Sequence, residues 1–333
     1  MVSLAAQHED FFTKNKNLDN WNYKLPIKTI FLAMKVAPII LAGGFGTRLA
    51  PISTEEKPKQ FLSFLVDGSS FFQQTIRRLR FVFRHETLTI VINTKHKALA
   101  IEQLTMICER NVKLIVEPEN HNTFAPILLS LIENKSANLL FVTPTDLYIN
   151  DYKQFASDLQ MAFSVPYLQD KHAIFGIKPT CASTEYGYIK TNKIGRRRVN
   201  NVLTFTEKPN KKLAEQFISE GSYLWNSGMF LFNTKLLKQE IEEYHPQSFE
   251  NTKKVAFTRE KAQNGIEILY PSEQEFLQIK KTSIDYAIAE KSQNMCCISA
   301  NFDWMDAGSW KSITVLQRCK KVYLDLKQLN IVY

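Results

Sequence analysis

Residues 36–62, VAPIILAGGFGTRLAPISTEEKPKQFL, decide how this chain folds and where its chemistry begins. The apolar run Pro38–Ala42 reads as a strand. It ends in Gly43-Gly44-Phe45-Gly46-Thr47-Arg48, and Pro58-Lys59-Gln60 follows. Glycines let a backbone turn tightly and aim its N–H groups at an anion, while an arginine and a lysine neutralise the charge. The loop is neither of the two commonest phosphate loops. After Gly44-Phe45-Gly46 the third glycine of the dinucleotide fingerprint is missing, and no Gly-Lys-Ser/Thr closes it. Taken alone, so short a motif is equally a glycine turn between a core strand and a helix.

Outward from that loop, short β-rich runs alternate with helical ones. Ser70–Phe83, Lys97–Glu109 and Ala125–Ile132 carry helical spacing; Leu88–Asn93, Val112–Val116 and Asn138–Val142 read as strands. Such alternation predicts a doubly wound sheet with ligands at the carboxyl ends of its strands. The second half is more mixed, with strands expected at Ala173–Ile177, Tyr188–Thr191, Val202–Thr206 and Met229–Phe232, and helices near Lys211–Glu220 and Ser283–Lys291.

Length and composition bound the function. The 333 residues suit one large α/β domain or two smaller ones, and 44% hydrophobic with 12% aromatic content argues for a substantial core. A net charge of +9 suits nucleic acid, an acidic surface or small polyanions. The basic residues are dispersed except Arg196-Arg197-Arg198, which reads as a solvated hairpin turn; without interleaved aromatic and basic clusters, nucleic acid is not the expected partner. The five cysteines lack any C-x-x-C spacing, so zinc is not expected, and adjacent Cys296 and Cys297 read as core thiols on opposite faces of a strand. That usage fits a reducing cytoplasm. Residues 1–33 mix acids and lysines without a cleavable apolar core and read as an extension outside the catalytic region. Ile30–Ala42 is too short and too interrupted to span a membrane.

Further boxes carry polar chemistry. Thr143-Pro144-Thr145-Asp146 follows a strand; alone, its aspartate is a turn or cap residue. Glu207-Lys208-Pro209 is by itself a surface charge pair, and the tyrosines of Glu185-Tyr186-Gly187-Tyr188-Ile189 are a strand-edge pair. Tyr223-Leu224-Trp225-Asn226-Ser227-Gly228-Met229-Phe230 offers an amide beside a glycine, and Trp304-Met305-Asp306-Ala307-Gly308-Ser309-Trp310 an aspartate among tryptophans. Glu117-Pro118-Glu119-Asn120-His121-Asn122-Thr123 suits a helix start capped by Asn122.

In this order, from about Met34 to Trp310, the boxes resemble the sugar-1-phosphate nucleotidyltransferases, and Pro58-Lys59-Gln60-Phe61-Leu62 resembles the mannose-1-phosphate guanylyltransferase branch. The resemblance implies a Rossmann-like mixed sheet over residues 34–310 with an inserted sugar-binding lobe at about 173–235, then a short tail, 311–333. It implies GTP and mannose 1-phosphate as substrates, GDP-mannose and pyrophosphate as products, and Mg2+ as cofactor; a homodimer is one possible assembly, and the cytoplasmic setting is the one cysteine usage suggests. The implied nucleotide contacts are Leu41, Ala42, Gly43, Gly44, Gly46, Thr47, Arg48, Lys59, Glu117 and Asn122. Gly187, Tyr188, Glu207, Lys208 and Asn226 are the implied sugar contacts, and Asp146 and Asp306 the metal carboxylates. Arg48, Lys59 and Lys208 are the implied catalytic cations; Asp285 is expected to be mainly structural or to support the ligand contacts from behind. The chain departs from the pattern at Thr145 for serine, Leu147 for histidine and His121 for arginine; a neutral imidazole there weakens any phosphate contact. Relatives using another base or sugar share the pattern. A noncatalytic subunit of the same fold would be marked by loss of Arg48, Lys59 or the aspartates, all of which are present.

Overall fold

The computed structural model describes residues 34–192, 198–262 and 264–322. The extension 1–33, most of the tail, and Arg196 and Arg197 lie outside the described residues.

The first half runs β1 (Val36–Leu41), α1 (Phe71–Val82), β2 (Leu88–Asn93), α2 (Lys97–Met106), β3 (Val112–Glu117), α3 (Phe124–Glu133) and β4 (Leu139–Pro144). A two-residue strand β5 (Leu147–Tyr148), helix α4 (Tyr152–Gln169), β6 (His172–Ile177), β7 (Tyr188–Thr191) and β8 (Val199–Thr206) follow. Then come α5 (Lys211–Glu220), β9 (Tyr223–Asn233), α6 (Thr234–Tyr244), α7 (Pro246–Lys254), β10 (Phe257–Lys261), β11 (Glu267–Pro271) and α8 (Glu273–Leu277). A π-helical turn at Asp285–Ala289, β12 (Met295–Ser299), β13 (Met305–Asp306) and α9 (Trp310–Arg318) are the last elements among the described residues.

Local chemistry explains the boundaries. Ser70 accepts from Gln73 N while the Gln73 side chain accepts from Ser70 N, a reciprocal capping box that starts α1. Asp151 caps α4 and Asn210 caps α5, whose end is turned by Gly221 at φ +65.

Among the described residues one mixed sheet of eleven strands, in the order β10-β11-β3-β2-β1-β4-β9-β6-β12-β8-β7, organises the fold, and β9 pairs with β7 as well. β11, β3, β2, β1 and β4 are mutually parallel; β9 then runs antiparallel to β4 and to β6. The order 3-2-1-4 places a switch point between β1 and β4, where a crevice opens at the strands' carboxyl ends. Strand alternation divides the core. Ile40, Ile90 and Leu114 face a layer containing α1, α2 and α4, whereas Ile39, Val91 and Ile115 face α3, α6 and the π turn. Cys296 and Cys297 fall into these two opposite cores as free thiols, as their alternation predicts.

Three expectations change. β9 begins six residues before the expected start at Met229, so the Trp225-Asn226-Ser227-Gly228 box lies within the strand. Ser283–Lys291 narrows to a π turn. Arg198 is no part of a solvated face, because it pairs with the fully buried Asp158. Among the described residues no helix is long and apolar enough to cross a membrane.

Candidate active site

Leu41 ends β1, and Ala42 turns inward, donating its N–H to Val91 O at 2.8 Å. The loop beyond is pinned from inside. Gln60 Nε2 donates to Ala42 O at 3.0 Å and Gly44 O at 2.6 Å, and Ser53 Oγ donates to Gly46 O at 2.7 Å. Gly46 has φ +61, and a Cβ there would lie 2.8 Å from Lys59 N, so both its dihedral and the close approach demand glycine. Thr47–Leu49 forms a short 3-10 turn.

Lys59 opens a second 3-10 turn, Lys59–Phe61, and is 5% exposed. Its ammonium lies 2.7 Å from Asp146 Oδ2, just past β4. Asp306 arrives from the far end of the chain on the two-stranded ribbon β5–β13, where it pairs with Leu147, and Ala307 N donates to Asp146 O at 2.9 Å. Asp306 Oδ1 is buried with no hydrogen-bond partner. Burial opposes ionisation of Asp146, but Lys59 outweighs it and holds the carboxyl below its usual range. Burial and the Asp146 charge push Asp306 up to about 6. Two carboxylates of unlike proton affinity and a buried cation thus meet beside the glycine loop.

Arg48 is exposed and reaches Glu185 Oε2 at 3.0 Å, linking the glycine loop to the Tyr186-Gly187 loop. Glu117 ends β3 almost fully buried, with Oε1 unpartnered. Burial raises its proton affinity well above that of an ordinary glutamate. A Cβ on Gly43 would lie 3.1 Å from Glu117 Oε2, so the first glycine makes room for this carboxyl. These groups border a cavity of about 660 Å³ lined by Leu41, Gly43, Gly44, Gly46, Arg48, Lys59, Glu117, Asn122 and Asp146. A cavity of about 710 Å³ between α3, α7 and β10 is slightly larger, but its charged lining residues Glu133 and Arg259 are already paired with each other at 2.7 Å, beside Leu128, Leu131 and Phe249. Only the smaller one gathers convergent polar groups at strand ends, which marks a site of chemistry.

A second cluster adjoins it. Gly228 packs near Pro144, its Cβ position 3.5 Å from Pro144 Cγ. Asn226 Oδ1 accepts from Gly228 N at 2.8 Å and Nδ2 donates to Asp285 Oδ1 at 2.8 Å. Glu207 Oε1 accepts from Lys208 Nζ at 2.7 Å, and Glu207 Oε2 is buried without a partner. Gly187 faces both, since a Cβ there would lie 2.5 Å from Glu207 Oε2 and 3.2 Å from Asn226 Cβ. Lys208 holds φ +45, a costly dihedral for a non-glycine residue and one that clusters at functional sites.

Several expectations are corrected. The Tyr188 side chain is fully buried and spends its hydroxyl on Ser183 N and O, at 3.0 and 2.9 Å; it packs the core instead of reaching a ligand. His121 turns away from the cavity, its ring 4.6 Å from that of Phe276 and Nδ1 3.0 Å from Ile279 O, so it anchors the loop rather than replacing an arginine at a phosphate. Asn122 is not the cap of α3: Thr123 holds that position, and Asn122 sits at φ +63 on the cavity wall. Leu147 packs into the core. Gln60 and Glu185 gain places in the candidate site that motif reading did not assign them, and Asp285, expected to be structural or supporting, is bonded to Asn226. Their signal was present in the boxes, but each acts through a partner distant in sequence.

A family profile described as nucleotidyl transferase matches residues 37–319. An Escherichia coli mannose-1-phosphate guanylyltransferase is 34% identical over 292 residues, covering 85% of this chain and 61% of that protein. The chain therefore spans about three-fifths of the length of the curated relatives it matches. Among solved structures, a Helicobacter pylori protein described as mannose-6-phosphate isomerase superposes with a TM-score of 0.71 at 26% identity, covering 82% of this chain and all of the other. A Thermus thermophilus protein described as mannose-1-phosphate geranyltransferase gives the same TM-score and identity, covering 86% of this chain and 79% of that one.

Proposed function

The chain belongs to the nucleotidyl transferase family, and from that premise we propose that it joins mannose 1-phosphate to GTP, releasing pyrophosphate and forming GDP-mannose. The observation that carries this reading is the meeting of Lys59, Asp146 and Asp306 at the mouth of the glycine loop, with the Glu207-Lys208-Asn226 cluster alongside. Bringing two polyanions together is chiefly a matter of positioning and positive charge. In this reading Arg48 leaves its exposed, weakly held partner Glu185 for the triphosphate, and Lys59 serves the α-phosphate from its buried position. Lys208 holds the sugar phosphate, which attacks the α-phosphorus in line as pyrophosphate departs. Glu207 and Asn226 take sugar hydroxyls; the unpartnered Glu207 Oε2 is costly to leave unmet and gains most from a hydroxyl donor. No covalent nucleophile takes part.

Guanine is supported by Glu117. A carboxylate accepts two parallel N–H donors, and guanine's N1–H and N2–H present that pair, whereas uracil and thymine offer one N–H between two carbonyls. Asp146 and Asp306 fit a magnesium ion: the orphaned Asp306 Oδ1 and the adjoining Asp146 supply two hard oxygens, and such an ion keeps water and phosphate for the rest. Bound there, it would neutralise phosphate charge. The buried free thiols Cys296 and Cys297 suit the cytoplasm.

The test is pyrophosphate release from mannose 1-phosphate and magnesium with each nucleoside triphosphate in turn. Release with GTP above the others is expected. Release with UTP or dTTP but not GTP would sink the guanylyl assignment, and none with any nucleotide would favour a noncatalytic subunit.

A further inference from the structure

Asp285 is the first residue of the π-helical turn, a rare geometry that recurs at functional sites. It is bonded to the sugar side of the cleft through Asn226. The Asn226 amide is fixed at both ends, its oxygen on Gly228 N and its nitrogen on Asp285 Oδ1. A flipped amide would set N–H against the Gly228 N–H whatever the charge on Asp285, so the two contacts together select one orientation and leave the second N–H for a ligand. The same small volume holds Glu207, whose Oε1 is on Lys208 and whose Oε2 has no partner. With every group ionised, one ammonium would face two carboxylates while a phosphate-bearing sugar enters.

We propose that Asp285 is a positioning residue for the sugar phosphate: bonded to Asn226 Nδ2 opposite the Gly228 contact, it helps hold the amide in its donating orientation beside Glu207, and its own charge governs how readily the anionic substrate enters. The proposal rests on the nucleotidyl-transfer reading above and goes beyond it in assigning a proton. Burial and the neighbouring Glu207 charge push Asp285 up to about 7, so its proton is exchanged within the working range. The charged and titratable groups around it are few. Glu207 and Lys208 face it from the end of β8, and Tyr286 stands beside it. Glu290, at the end of the π turn, accepts from Glu207 N at 2.9 Å. On the opposite side of the turn His245 Nε2 lies 3.3 Å from Ala287 O and 3.2 Å from Lys291 Nζ. β9 contributes the uncharged Asn226.

Initial rates against mannose 1-phosphate, at saturating GTP and magnesium between pH 6 and 8.5, test this in the full chain and two variants. In the wild type KM for the sugar phosphate should rise by up to about tenfold from pH 6 to 8, as the carboxyl loses its proton. Asp285→Asn keeps an acceptor for Asn226 but carries no charge, so its KM should stay low and lack that rise. Asp285→Leu removes the acceptor and should raise KM for the sugar phosphate at every pH. The KM for GTP reports folding in both variants, and Asp285→Asn carries the pH arm if Asp285→Leu does not fold. An Asp285→Asn profile that keeps the wild-type slope, or a folded Asp285→Leu with wild-type KM, overturns the assignment of Asp285 alone. A wild type that turns over no sugar phosphate with any nucleotide overturns the underlying reading, and the proposal with it.

Discussion

Glu117 carries, in the proposed reading, both a cost to the empty fold and a gain on binding the base. It is buried with one oxygen unpartnered, and burial alone holds its proton affinity far above the ordinary value. Such a carboxyl destabilises the empty protein whenever it ionises and is relieved by a ligand offering N–H donors. Glu117→Gln should therefore make the ligand-free protein more stable at pH 7.5 by about 1 kcal/mol in urea unfolding. The same change should lower kcat/KM for GTP at least about tenfold, because one guanine donor then meets an amide N–H. Unchanged GTP kinetics would remove Glu117 from the base site. Asp285 gives a related outcome in stability. Its carboxyl is raised from 3.8 to about 7, so its favourable contribution is complete below pH 4 and is lost as pH climbs through 7. Thermal unfolding of the ligand-free protein should show stability falling between pH 5 and 7.5, and Asp285→Asn should flatten that fall; an unaltered slope would assign it to other groups.

At the scale of elements, strands and the glycine loop were legible because their causes are local. Leu88–Asn93, Tyr188–Thr191 and Lys211–Glu220 lie where apolar pattern and caps put them. Helix α4 was not legible, since Pro166 lies inside its eighteen residues and packing against β6, β9, β12 and α1 holds it there. β9 was under-read because Asn226, Ser227 and Gly228 break its apolar run; pairing with β4, β6 and β7 overrides their weak strand propensity. The candidate site divides in the same way. Lys59 and Asp146 stand in recognisable boxes, but the role of Asp285 depends on an amide fifty-nine residues away. The glycine loop itself allows an element-scale test. Gly46→Ala would force φ +61 on an alanine and drive a methyl against Lys59 N. A loss of about 1–2 kcal/mol in unfolding free energy is expected, with the KM for GTP rising as the loop and Lys59 move apart. A variant equally stable and equally active would show that the loop relaxes without consequence.

The whole molecule matters most where its two ends meet. The switch point between β1 and β4 creates a crevice, yet Asp146 has no second aspartate beside it until β13 returns alongside β5 and brings Asp306 to it. That return is secured by a small core of its own, in which Leu49, Leu62, Phe64 and Tyr148 pack against Ala307, Ile313 and Leu316 of the α9 region. Trp310 Nε1 adds a bond to Ala50 O at 3.2 Å, so the segment carrying Asp306 is tied to the segment carrying Arg48. Gly308 is where this closure is tightest. A Cβ there would lie 2.7 Å from Asp306 Oδ1 and 3.0 Å from Arg48 Nη2. Its dihedral is not of the left-handed kind, so Gly308→Ala tests close approach without backbone strain. The methyl should displace the carboxylate while the packing of α9 survives, leaving the unfolding midpoint within about 0.5 kcal/mol of wild type. If Asp306 holds the metal, displacement costs metal affinity first: the magnesium concentration for half-maximal rate should rise by about tenfold or more, and saturating magnesium should recover much of the rate. Loss of rate with an unshifted magnesium requirement would mean that the contact serves Arg48 and the triphosphate instead. In either case the effect would come from one methyl group at the junction of the two ends, because the fold completes its site only where they touch.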